Sequence, residues 1–172
     1  MSLNIGNDDH VRGSVTAPVT VLVYGDYECP YTRALELVIG QLRRRDGDSF
    51  RYVYRYFPLR EIHPHAEMAA EAAEAVSALA GADAFWRMHD ALFADQYDLE
   101  PGDFERQARA AGAGRAYRKA MAAHQFAEGV ERDVQSGTVN GVEGTPSIFI
   151  NGERYHASRD EGSLRAAIAS ST

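Results

Sequence analysis

Cysteine is nearly absent from this 172-residue chain: there is one, Cys29. A lone thiol cannot close an internal disulfide, so any disulfide it forms joins it to another molecule. Long apolar runs are missing too. Nothing between Met1 and Thr20 reaches signal-peptide length, and the alanine-rich stretch after His65 is interrupted by Glu67, Glu71 and Glu74, which excludes a membrane span there. As written, the chain is expected to be soluble and cytoplasmic, a trimmed signal sequence aside. Positive charge is also short, with 18 Lys and Arg against 25 Asp and Glu and a formal charge of -7. A phosphate backbone or an anionic lipid surface is engaged through Lys and Arg, so neither nucleic acid nor membrane is an expected partner. No G-x-S-x-G elbow occurs, which removes one common hydrolase arrangement.

What is present suffices for one compact unit: 45% of residues are hydrophobic, enough for one sizeable core at this length. The stretch "APVTVLVYGDY" (17–27) is β-branched and almost continuously apolar, which suits a strand buried on both faces. Pro30 then fits the first turn of a helix, where its missing N–H costs nothing, and Leu35, Val38, Ile39 and Leu42 follow at helical spacing. "RRRDGD" (43–48) reads as a connecting loop and "FRYVYRYFPL" (50–59) as a second strand ended by Pro58. From Ile62 to Asn140 the spacing becomes helical, punctuated by Gly81, "EPGD" and "AGAG", which predicts four or five helices. "PSIFI" is a further strand, Asn151-Gly152 a type I′ hairpin turn and "ERYHA" its partner. Leu164, Ala167 and Ile168 mark a closing helix, with Asp160 or Ser163 as its cap. The order is βαβ, a helical block, then ββα.

The chemistry concentrates at Cys29, placed where strand turns into helix. A thiol attacks only as thiolate, and a helix N-terminus favours that anion through unpaired N–H groups and the dipole. Such positions bring a cysteine pKa from about 8.5 into roughly the 3.5–7.5 range. Asp26 and Glu28 oppose the shift if they lie close. Thr32, three residues on, is a neighbour on the helix surface whose hydroxyl can donate to the sulfur. An accessible, partly ionised thiol is therefore expected, against the plain alternative of a buried structural cysteine. His63 and His65 flank Pro64 but lack a clear third ligand, so no metal is expected. His89 shares an apolar face with Phe85 and Leu92 and reads as a core histidine, Trp86 as core, and Arg43 to Arg45 as a solvated helix end.

Taken together, "APVTVLVYGDYECPYTRA", "YRYFPL", "HPHA", "FWRMHDALF" and "GVEGTPSIFINGERY" resemble the DsbA-like branch of the thioredoxin-fold thiol oxidoreductases, in the right order and over nearly the whole chain. The resemblance implies an α/β thioredoxin fold formed by residues 1–59 and 141–172, with a helical insertion at 60–140. It implies Cys29 as the attacking cysteine, Pro30 and Tyr31 as the intervening dipeptide, and Thr145-Pro146 as a cis-proline loop facing the thiol, the last four residues contacting substrate. Thr32 stands where that family has its second cysteine, and Val23 where many relatives keep a buried acid. Without a resolving thiol, the implied chemistry is monothiol exchange on protein or peptide disulfides or on glutathione mixed disulfides. Glutathione is the co-substrate that would release the adduct, and no tightly bound cofactor is expected. Two alternatives stand beside this one: a catalytically silent peptide-binding module and a glutathione-dependent transferase or isomerase.

Overall fold

The computed structural model describes residues 3–47 and 49–172. A five-stranded mixed sheet in the order β1-β3-β2-β4-β5 carries the site at one end of its central strand. Strand β2 (Val19–Gly25) is buried along nearly its whole length, as its unbroken β-branched run predicts. It pairs in parallel with β3 (Phe50–Tyr56), from Val19 opposite Phe50 to Gly25 opposite Tyr56. Parallel neighbours need a crossover, and helix α1 (Pro30–Asp46) supplies it. Leu35, Ile39 and Leu42 form its buried stripe. The expected loop at 43–48 is helical as far as Asp46, because buried Leu42 anchors the last turn and three arginines there suit the negative end of the helix dipole. Asp48 lies outside the described residues.

Strand β1 (His10–Arg12) has no counterpart in the sequence reading. It is three residues long, with no apolar alternation, and exists because β3 offers it an edge: His10, Val11 and Arg12 lie opposite Tyr54, Val53 and Tyr52. On the other side, β4 (Ser147–Ile150) runs antiparallel to β2 and forms a hairpin with β5 (Glu153–Tyr155). Asn151 and Gly152 have φ of 50° and 86°, the two positive values a type I′ turn demands. The Asn151 side chain also accepts the Thr20 N–H at 2.8 Å, tying the turn to β2.

Between β3 and β4 lie α2 (Ala66–Ala80), α3 (Ala82–Ala94), a 3₁₀ turn (Gln96–Asp98), α4 (Pro101–Ala111), α5 (Ala116–Ala122) and α6 (Ala127–Val139). Buried alanines of α2 let the neighbouring helices approach closely, and one apolar cluster runs from Val21 and Tyr54 of the sheet to Ala69, Phe85 and Phe104 of the helices. The closing helix α7 (Glu161–Ser170) is capped by Asp160, whose carboxylate accepts the Ser163 N–H at 2.9 Å.

Candidate active site

Gly25 ends β2 because nothing larger fits: a Cβ there would stand 2.5 Å from the Tyr54 ring and 2.8 Å from the Thr32 methyl. The chain then turns through Asp26, Tyr27 and Glu28 to Cys29, the N-cap residue of α1, extended at φ -73° and ψ 117°. Pro30 opens the helix. From the far side of the fold comes the loop before β4, with a cis bond between Thr145 and Pro146. The two segments meet at the sulfur: Cys29 Sγ donates to the Thr145 carbonyl oxygen at 3.3 Å, across 116 residues of sequence.

Two expectations need correction here. Cys29 is not accessible but 3% exposed, because the Thr145 carbonyl lies against its sulfur and the Gln96 side chain closes over its backbone. Thr32 is fully buried, and its hydroxyl accepts the Asp26 N–H at 3.5 Å. No hydrogen bond links it to Sγ among the described residues, since its methyl is packed over Gly25 and turns the hydroxyl to the loop. Pro30 and Tyr31 are exposed beside the thiol and Pro146 is buried. The Thr145 hydroxyl is buried and makes no hydrogen bond among the described residues.

Three residues that hold this corner carry little sequence signal. Asp26 is 2% exposed; one carboxylate oxygen accepts the Glu28 N–H at 2.7 Å, and the other accepts the Leu59 N–H and meets His63 Nδ1, both at 2.8 Å. It is thus a buried acid three residues before the thiol, where Val23, six before it, is apolar. His63 and His65 are spent on this corner: the His65 N–H donates to Glu28 Oε2 at 2.6 Å. Gln96 is the second, its amide donating to the carbonyls of both Tyr27 (2.8 Å) and Cys29 (3.0 Å). Tyr27 is the third. Its hydroxyl meets His89 Nδ1 at 3.1 Å, His89 Nε2 lies 3.3 Å from Glu36, and Tyr52 donates to the same carboxylate. Burial, reinforced by Glu36, holds the Tyr27 phenol well above its ordinary pKa, so it stays protonated.

The thioredoxin family profile matches residues 6–170. The chain belongs to the thioredoxin family. Its backbone superposes on BdbD from Bacillus subtilis with a TM-score of 0.85 at 24% identity, covering 95% of this chain and 92% of that one. Against the thiol-disulfide exchange protein α-DsbA2 from Wolbachia pipientis the TM-score is 0.81 at 18% identity, covering 96% and 88%. The fold is therefore the thioredoxin-like arrangement of the DsbA-like proteins, as the motifs imply. Curated relatives carry a different name. The chain is 43% identical over 163 residues to Na(+)/H(+) antiporter NhaA 3 of Salinispora tropica and 33% identical over 164 residues to Na(+)/H(+) antiporter NhaA of Herminiimonas arsenicoxydans. These matches cover 94% and 95% of this thioredoxin-family chain but 24% and 25% of the antiporters, so it spans about a quarter of their length. Among its described residues, no helix is long and apolar enough to cross a membrane.

Proposed function

We propose that the protein is a thiol-disulfide exchange protein that works through Cys29 alone. The observation that carries this reading is the meeting of the helix-capping Cys29 with the Thr145 carbonyl at 3.3 Å, in a chain with no second cysteine. The Cys29 thiolate attacks one sulfur of a disulfide R–S–S–R′, forming Cys29–S–S–R and releasing R′–S⁻. A second thiol, glutathione or another small thiol, then attacks the mixed disulfide, leaves as its own disulfide with R and returns the Cys29 thiolate. Thr145 and Pro146 back the incoming chain while Pro30 and Tyr31 border it, and Thr32 packs the helix start rather than resolving the adduct. The burial of Cys29 supports selection of extended disulfides laid along the 144–146 loop.

The test is replacement of Thr32 by cysteine, which places two thiols on the first turn of α1. Wild type should take up one glutathione from glutathione disulfide, read by intact mass, and reduce insulin only when glutathione is supplied. Thr32→Cys should cycle between dithiol and disulfide and reduce insulin with dithiothreitol at a several-fold higher rate. No adduct on wild type, or equal insulin reduction by both forms without glutathione, would overturn the monothiol reading.

A second reading concerns the partner. Relatives named as sodium–proton antiporters contain a stretch 33–43% identical to this chain, which favours a membrane transporter as the protein whose thiols are exchanged. Mixed disulfides trapped in cells by rapid alkylation would then contain such a transporter, and their absence from the trapped set would remove this partner.

A further inference from the structure

Along α1, one turn beyond Cys29, a groove of about 280 Å³ opens between α1 and α3. Four guanidinium groups line it, those of Arg12, Arg33, Arg43 and Arg44, against two carboxylates, Glu36 and Asp90. Both carboxylates are already engaged. Asp90 takes a two-pronged contact from Arg12 at 3.0 and 2.7 Å, and Glu36 accepts from Tyr52 and meets His89. Arg33 is held against the Phe93 carbonyl at 3.0 Å. Arg43 has no such partner: its Nε is buried and makes no hydrogen bond among the described residues. Neither Arg43 nor Arg44 is in an ion pair among those residues. Burial, followed by the nearby Arg12 charge, lowers the Arg43 pKa, the signature of a cation kept partly desolvated beside a like charge.

We propose that this groove is a binding site for a compact, doubly charged oxyanion of the phosphate class. The surplus of positive charge sits on a chain whose net charge is -7, so it is a local attraction rather than a general one. An oxyanion placed there pairs with the Arg43 and Arg44 guanidinium groups, which no carboxylate engages in an ion pair among the described residues, and offsets the repulsion between Arg43 and Arg12. Guanidinium groups suit phosphate oxygens because their N–H donors form a planar fork. The apolar wall of Leu37, Ile39 and Phe93 leaves room for a small carbon skeleton beside the anion. The site goes beyond disulfide exchange and does not depend on Cys29.

The deciding experiment follows the Arg43 Nε–H resonance of the wild-type protein by NMR while inorganic phosphate or glycerol 3-phosphate is added at constant ionic strength. The resonance should move saturably with phosphate and remain in place with chloride. Tighter binding of the ester would assign the natural ligand to phosphate esters, and equal or weaker binding to free phosphate; either supports the site. Read by titration calorimetry with the same phosphate, Arg43→Gln and Arg44→Gln should each weaken binding by about tenfold, and Cys29→Ser should leave it unchanged. An Arg43 signal that ignores phosphate, or that responds equally to chloride, would overturn the proposal, as would unaltered affinity in the two arginine variants.

Discussion

Gln96 spends its amide on two carbonyls of the loop that presents the thiol, those of Tyr27 and Cys29. Gln96→Leu keeps the approximate volume but leaves the Tyr27 carbonyl without that donor, and an unsatisfied buried acceptor costs about 1–3 kcal/mol. Urea denaturation should show a loss of that size, and Cys29 should form mixed disulfides more slowly, because its backbone is freer. An unchanged midpoint would mean that water replaces the amide. Cys29 stood out in the sequence as the one cysteine, set where strand turns into helix, whereas the pairing of Thr145 and Pro146 with it came only from the family resemblance. Gln96 could not, since both of its partners are backbone atoms more than 60 residues away. The same reason explains the error on exposure: covering of the sulfur comes from Thr145, and nothing local to "ECPYT" reports it.

At the scale of elements, α6 lies against the sheet at Gly137, where an added Cβ would stand 2.7 Å from the Phe57 ring and 3.2 Å from the Tyr24 ring. Gly137→Ala should gain helix propensity yet lose overall, by roughly 1–3 kcal/mol, because the rings must shift. A thermal midpoint at or above wild type would show that Phe57 swings aside freely. The long elements were legible for physical reasons: β2 is a nearly continuous apolar run and β3 an aromatic, β-branched one, α1 has a proline start and a helical stripe, and Asn151-Gly152 specifies its own turn. Strand β1 was hidden, because three residues containing His10 and Arg12 have no period of their own. Its side chains find partners only in the folded chain, His10 with Glu74 at 2.7 Å and Arg12 with Asp90. The last turn of α1 was hidden by its charge, which reads as loop unless the buried Leu42 beneath it is known.

For the whole molecule, pH acts through two carboxyl groups of opposite sense, buried Asp133 and half-buried Glu74. Burial pushes Asp133 up from 3.8 to about 6, although it accepts the Tyr56 N–H at 3.1 Å. A raised acid favours the folded state fully below its unfolded pKa, and that contribution is lost as pH rises through about 6. Its size is on the order of 2–3 kcal/mol. Glu74 works the other way: burial alone would raise it, but the bonds from His10 and Tyr56 outweigh burial and lower it, so its contribution is lost on acidification. Asp133→Asn keeps an acceptor for Tyr56 and cannot ionise. Relative to wild type, this variant should gain stability between pH 5 and pH 7.5, measured by urea midpoints at both values. Parallel midpoints across that range would show that Asp133 ionises in the folded protein as readily as in the unfolded one.

The Asp26 carboxylate joins the amide of Glu28, next to the thiol, to that of Leu59, just beyond β3, and Glu28 in turn holds the amide of His65 at the entry to α2. None of these three bonds can open without disturbing the same corner. In deuterated solvent, the amide protons of Glu28, Leu59 and His65 should therefore exchange together, with one shared opening free energy, although they lie up to 37 residues apart. The turn that presents Cys29 then has a clock of its own: the shared exchange rate of these three amides reports how often the backbone leading into the thiol loosens.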